Sequence, residues 1–292
     1  MKSRCVYFCR QRFFLCAGLT VLAPALSQQL NIDKYSLTFA PRPGQVLSYN
    51  LNSQMNSTGE SFVGRSLSLS VQANGEVDLA IRQLSTDKVF TELSTPGLRV
   101  ALQSPGAQNE STLKTPVDNP VRVVFDRAGR IREVSNAEIL EKQNILNVTI
   151  LDVLRNYLPS YPDAPVEIGE SWRGHRKMQI PFQGMNLVIN VEIMFTLDNV
   201  VPSPDGRMGL VSTSYTVAFS GKRALEEVIG AFEGKGLGSG TLIFYLDEGY
   251  FSEYRLEYSI NGEMIVRRAD SRLAAWPFSL SVVAGLTLVG KS

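Results

Sequence analysis

The chain has 292 residues, 44% of them hydrophobic, with 29 Lys+Arg against 28 Asp+Glu and a formal net charge of +1. That length can bury a substantial core, and the composition excludes disordered, collagen-like and low-complexity classes. A charge so close to zero argues against a nucleic-acid binder, which carries a clear basic excess.

Residues 1–27 read as a secretory signal peptide. Lys2, Arg4, Arg10 and Arg12 make a basic start with no acid. Phe13 to Leu22 follow as an apolar run of about ten residues, too short to span a bilayer. Pro24 breaks that run, and Ala25-Leu26-Ser27 places small residues where a signal peptidase needs them, so cleavage is expected between Ser27 and Gln28. The alternative is an uncleaved anchor. Cleavage removes four basic residues and no acid, which moves the formal charge from +1 to −3. It also removes Cys5, Cys9 and Cys16, the only cysteines. A cysteine-free exported chain points to a bacterial envelope, periplasmic or surface-facing, rather than to a disulfide-bonded eukaryotic secretory protein. Lipidation at Cys16 fits poorly, because Leu15 stands where processing needs a small residue.

From there most of the chain alternates apolar and polar residues with period two, the pattern of half-buried antiparallel strands. Leu47, Tyr49 and Leu51 begin it. Leu67, Leu69, Val71 and Ala73 lead into Asn74-Gly75, and Val77, Leu79 and Ile81 follow, which predicts a hairpin at the Asn-Gly pair. A strand over Val89–Leu93 and a turn at Pro96-Gly97 lead to Leu98, Val100 and Leu102. Residues 104–119 are polar and read as a loop. Val121, Val123 and Phe125 enter a hairpin that turns near Gly129.

One main helix is expected over about 136–158. Ser135-x-x-Glu138 has the form of a capping box, and Ile139, Leu140, Leu146, Ile150, Val153, Leu154, Tyr157 and Leu158 recur at roughly helical spacing before Pro159. Residues 159–172 form a Pro-rich connector, the best boundary between an N-terminal half (28–160) and a C-terminal half (161–292), unless the two make one continuous domain.

The second half is again β-rich. Leu187 to Leu197 alternate, Pro202–Gly206 turn the chain, and Val211 to Phe219 return. A short helix is expected over 223–232, a strand over Thr241–Leu246, and a hairpin at Asn261-Gly262 after Tyr254, Leu256, Tyr258 and Ile260. The apolar C-terminal stretch alternates from Phe278 to Leu288, so it reads as a strand and not as a membrane helix. A faint repeat relates Phe125-x-x-x-Gly129-x-Ile131 to Tyr245-x-x-x-Gly249-x-Phe251 at an offset of 120 residues.

The search for chemistry gives little. His175 is the only histidine, which removes the usual zinc constellations, and no cofactor is expected. A catalytic triad would have to use His175, and a surface imidazole is the simpler reading. Gly230, Gly234, Gly236, Gly238 and Gly240 miss the phosphate-loop spacing. On a strand, those from Gly234 to Gly240 would share one face, leaving a smooth groove or admitting a close backbone. Glu226-Glu227 and Asp247-Glu248 sit beside polar turns, and Arg267, Arg268 and Arg272 lack interleaved aromatics.

Three short motifs carry a resemblance: Phe125-Asp126-x-x-Gly129-x-Ile131, Leu158-Pro159, and Pro165-Val166-x-x-Gly169-x-x-Trp172. With the signal peptide and the β meanders, they resemble an uncharacterised family of exported bacterial proteins. That family has no established activity, so the resemblance implies no functional residue. At the level of fold alone, strands around a helix are similar to the half-barrel of periplasmic lipoprotein carriers. The expected fold is therefore α+β, mostly antiparallel: long curved meander sheets packed on the main helix, in the manner of an incomplete half-barrel. The leading functional expectation is non-enzymatic binding or carriage of an apolar or lipid-like ligand in the cell envelope. The alternatives are a structural or partner-binding envelope protein with a dry core, and a carboxylate-based hydrolase. No nucleic acid partner and no transmembrane segment of the mature chain are expected.

Overall fold

The computed structural model describes residues 33–60, 66–104, 107–113, 120–136, 138, 144–145, 148–149, 155, 157–182, 185–225, 228–268 and 271–292. From Asp33 onward they belong to one compact unit. The first half contributes β1 (Val46–Glu60), β2 (Ser66–Leu84), β3 (Lys88–Ser94), β4 (Leu98–Ser104), β5 (Ala107–Leu113), β6 (Val121–Asp126), β7 (Ile131–Ser135), β8 (Asn144–Ile145) and β9 (Val148–Thr149). The second half is a meander of longer strands: β10 (Ser171–Phe182), β11 (Met185–Ser203), β12 (Gly206–Leu225), β13 (Val228–Tyr245), β14 (Tyr250–Arg268) and β15 (Ser271–Lys291).

Thirteen of these form one antiparallel sheet in the order β10-β11-β12-β13-β14-β15-β1-β2-β3-β6-β7, with β4 added to β2 and β5 to β4. The last strand pairs with the first, so the two ends of the described chain meet in mid-sheet. Alternation assigns the faces. Leu187, Ile189, Val191, Ile193, Phe195 and Leu197 of β11 are buried, and so are Leu47, Tyr49 and Leu51 of β1 and Tyr254, Leu256, Tyr258 and Ile260 of β14. Their neighbours Asn50, Asn52, Glu192, Arg255, Glu257 and Ser259 are exposed.

The sheet is rolled, and two links show how far. Phe39 N–H donates to Arg127 O in the β6–β7 turn, and the next residue, Ala40, donates to Gly249 O in the β13–β14 turn. In a flat sheet β6 and β13 would stand about 29 Å apart, at six strand spacings. Both turns carry a glycine at φ +74°, Gly129 and Gly249, where other residues are strained. A Cβ on Gly249 would lie 2.8 Å from Ala40 O, and one on Gly129 would lie 2.7 Å from the Tyr161 ring. The two turns are the two copies of the 120-residue repeat, and one short strap ties them together.

Several expectations need correction. Among the described residues only Glu138, Arg155 and Tyr157 take helical backbone and no helix is complete, so the fold they show is antiparallel β and not α+β built on a main helix. Inside the expected helix 136–158, β8 and β9 pair with each other. Ser135 closes β7 and Asn136 takes φ +62°, so neither is the first turn of a helix capped at Ser135. The β-branched run around Val148-Thr149-Ile150 favours extended backbone, and an apolar pattern wide enough to fill every helix face is no longer a helix signal. The rest of that segment lies outside the described residues. The expected helix at 223–232 is instead the end of β12 and the start of β13. The expected loop at 104–119 contains β5. Asn74-Gly75 and Asn261-Gly262 are not hairpins: β2 and β14 run straight through them.

Candidate functional site

The inner wall of the rolled sheet is the candidate site, and strand register builds it in rows. One row reads Gly174, Ile193, Tyr215, Gly238, Tyr258, Val282, Met55 and Val71 across β10 to β2. The next, one pleat further along, reads Arg176, Val191, Val217, Gly236, Ile260 and Leu280. Beyond it come Ile189, Phe219, Gly234, Gly262 and Phe278.

Glycines set the curvature of this wall. Cβ atoms on Gly236, Gly238 and Gly240 would drive into the carbonyl oxygens of Ser259, Glu257 and Arg255 on β14. The close-backbone reading of the glycine stripe is therefore the one the structure shows. Phe278 fills the space over the stripe, its ring within 3.2 Å of where a Gly234 Cβ would stand. Its ring centroid lies 5.4 Å from that of Phe219 and 5.9 Å from that of Phe232, both edge-on.

The opposite end of the wall is filled. Leu37 and Phe39 of the strap are buried there, and Tyr161 stands between Phe39 and Phe244, with centroids 6.4 Å and 4.8 Å away. The connector motif supplies this packing. Val166 bridges to Tyr35, Gly169 N–H donates to Leu197 O, and Trp172 Nε1–H donates to Ser160 O.

Between the two ends runs a polar belt. The Tyr215 and Tyr254 hydroxyls lie 2.7 Å apart, Thr213 donates to Tyr215, and Ser53 meets the Tyr157 hydroxyl at 2.9 Å. Arg176 is the one charged residue among the buried described residues, and it donates to Leu158 O. Burial pushes the Tyr157, Tyr161, Tyr215 and Tyr258 phenols up, so all four are neutral hydrogen-bonding groups at neutral pH.

A second concavity of about 620 Å³ lies outside, at the β6–β7 turn, lined by Lys88, Asp126, Arg130, Arg132, Glu133 and Asp163 among others. Its charges neutralise one another. Asp126 accepts from Arg130 Nε at 2.7 Å and from the Arg130 N–H at 2.9 Å, and it pairs with Arg132. Lys88 pairs with Glu133. Burial pushes the Asp126 carboxyl up, and the Arg130 hydrogen bonds with the Arg130 and Arg132 charges overcome that and hold it below the usual range. This is a pinned turn and not a reactive cleft.

The remaining candidates scatter. His175 is exposed on the outer face of β10, opposite Glu192. Asp247 is taken by Arg207 and Glu248 by Arg42. Arg267 pairs in register with Arg272 next to the β14–β15 turn. Ser27, Gln28, Glu226 and Glu227 lie outside the described residues. Sequence reasoning passed over Arg176. Its signal was parity: on β10 it alternates in step with Trp172 and Gly174, whereas Arg173, His175 and Lys177 face out.

No family model matches the chain, and no curated protein matches it. Among solved structures it is similar to an outer membrane channel of Pseudomonas putida F1, at 9% identity over 86% of this chain and 97% of that one, with a TM-score of 0.24. It is also similar to OccK5 (OpdH) of Pseudomonas aeruginosa, at 7% identity over 85% and 99%, with a TM-score of 0.23. Similarity at this level assigns neither family nor function.

Proposed function

We propose that the protein is an exported, non-enzymatic carrier or sensor of an apolar, lipid-like ligand in the bacterial cell envelope. The sidedness of the rolled sheet carries this reading. A barrel that spans a membrane turns its apolar residues outward and its polar ones inward. Here Arg255, Glu257, Asn261 and Glu263 of β14, and Lys235 and Ser239 of β13, are exposed outward. The apolar rows face in, and at the hairpin end Phe232, Phe278 and Met55 are only half-buried. An apolar, concave and partly open wall is the surface a lipid chain takes. The N-terminal signal pattern, and the resemblance to an exported bacterial family through the connector ending in Trp172, belong to the same reading.

A partner-binding envelope protein with a dry core is the second reading. It is favoured by the Phe39–Tyr161–Phe244 plug, which fills one end of the wall with the chain's own side chains. Native mass spectrometry of protein isolated gently from its host, followed by solvent extraction, separates the two. A discrete extra mass that extracts as lipid supports the carrier. A clean apo mass overturns it and leaves the partner-binding reading.

A further inference from the structure

The open end of the wall departs from the sidedness of the rest of the sheet. From Thr241 to Glu233 every outward row of β13, β14 and β15 includes a polar side chain, the last row being Glu233, Glu263 and Pro277. The next outward row, Ala231, Ile265 and Ala275, has none. On the inner face the apolar wall continues past Phe278 without a break, through Phe232, Met264 and Trp276 and then Gly230, Val266 and Ala274. Phe232, Val266, Ala274 and Trp276 are half-buried, whereas Leu37, Phe39 and Phe244 at the plugged end are buried. The apolar rows stop at Arg267, which stands in register with Arg272, and Arg268 stands opposite Ser271. Between Met264 and Trp276 these three arginines are matched by one acid, Asp270. In the neighbouring β12–β13 hairpin Lys222 and Arg223 are balanced by Glu226 and Glu227. This end therefore carries a net positive charge of two, on a chain whose formal charge is close to zero.

Resting on the carrier reading, we propose that this hairpin end docks on an anionic lipid bilayer, the source of the cargo. The arginine row meets the lipid phosphates, for which a guanidinium is the best matched side chain. The inner rows behind it then give a lipid chain an unbroken apolar path from the surface to Phe278 and the wall. The three apolar rows are about 10 Å deep. The hydrocarbon core of a bilayer is about 30 Å thick, so this end rests on the membrane and does not cross it. Screening confines the attraction to about 10 Å, so the charge of this end counts and that of the plugged end does not.

Flotation of the purified protein with vesicles of phosphatidylcholine alone, and of equal parts phosphatidylcholine and phosphatidylglycerol, tests this. The expected result is binding about thirtyfold tighter to the anionic vesicles, the effect of two net charges near the surface. Arg267→Gln with Arg272→Gln leaves Arg268 against Asp270 and brings that preference close to one. Lys34→Gln with Arg42→Gln makes the same change of charge at the plugged end, where these residues pair with Glu167 and Glu248, and leaves the preference as it was. Should the arginine pair variant fail to fold, Arg272→Gln alone lowers the preference by about fivefold. Equal binding to the two vesicles, binding to neither, or an equal loss in both double variants overturns the docking surface. The extracted lipid mass judges the carrier reading separately. Cargo with no vesicle preference overturns the docking alone, and vesicle preference with no cargo overturns the loading role.

Discussion

Phe219 on β12 and Phe278 on β15 meet edge-on with ring centroids 5.4 Å apart, although their strands are three places apart in the sheet. In a flat sheet that interval is about 14 Å. The contact exists because β13 between them carries no side chains along that face from Gly234 to Gly240, so the sheet folds inward over bare backbone. Glycine in a strand ordinarily weakens it. Here the loss is offset by an aromatic ring laid over the gap, which restores apolar cover to Gly234 and Gly262.

Gly238→Ala is therefore expected to destabilise the protein by about 2–3 kcal/mol, since the new methyl would strike Glu257 O and the Tyr258 backbone. Ser239→Ala, one residue on and exposed, should stay within about 0.5 kcal/mol. Urea unfolding monitored by circular dichroism measures both. Equal effects at the two positions would show that the stripe is not what bends the sheet.

The tyrosine pair makes an asymmetric prediction. Tyr215→Phe removes the hydrogen-bond partner of Tyr254, leaving a buried hydroxyl unsatisfied at a cost of about 1–3 kcal/mol. Tyr254→Phe should cost less, because Tyr215 retains Thr213. Removing both hydroxyls together should cost less than the sum of the two single changes. Burial, the Tyr254 phenol and the Tyr254 hydrogen bond raise Tyr215, outweighing the opposing effects of Thr213 and Arg176. Its folded value thus lies above the unfolded value of about 10. Its stabilising contribution is whole below pH 10 and is lost as pH rises beyond it. Phenolate absorbance should accordingly appear together with unfolding in an alkaline titration. Full ionisation of Tyr215 in a still-folded chain would contradict the placement.

The faces of the strands were legible from parity, and parity also explains the two misread turns. Leu67 to Ala73 and Val77 to Ile81 all sit at odd positions. A two-residue turn at Asn74-Gly75 would pair Ala73 with Glu76 and move the inward face to even positions. The Asn-Gly pair was a strong local signal overruled by a phase the chain had kept, and Asn261-Gly262 repeats the lesson with Gly262 and Met264 still inward. The helix failed for a different reason. Ser135 and Glu138 satisfy a capping pattern, but Ser135 ends a strand and Asn136 is left-handed, and the pairing of β8 with β9 puts extended backbone in the middle of the segment. The rolled shape could not be read at all, because it depends on Phe39 and Ala40 reaching turns that lie 120 residues apart.

Asp126 gives the pH dependence of the β6–β7 turn. Its folded value lies below the unfolded value of about 3.9, so its contribution is whole above that pH and is lost as pH falls through the folded value. Asp126→Asn should cost about 1–2 kcal/mol at pH 7, a figure kept low because the Arg130 and Arg132 side chains are half in solvent. The gap between native and variant proteins should narrow as pH falls below the unfolded value of about 3.9. Urea midpoints at pH 7, 5 and 3 measure it, and a gap independent of pH would mean that Asp126 acts by packing and not by charge.

The strap yields the sharpest test of the rolled sheet. Phe39 is 3% exposed, stands 5.3 Å from Phe125 by ring centroids, and packs against Tyr161. Phe39→Ala should cost about 3–4 kcal/mol, the range for a buried aromatic truncated to a methyl. The loss should also be local first. The strap holds the β6–β7 and β13–β14 turns together, so amides of both turns should gain hydrogen exchange before those of the central strands β15 and β1. If exchange rises evenly across the sheet, or in one turn alone, Phe39 is ordinary core and the strap does not close the roll.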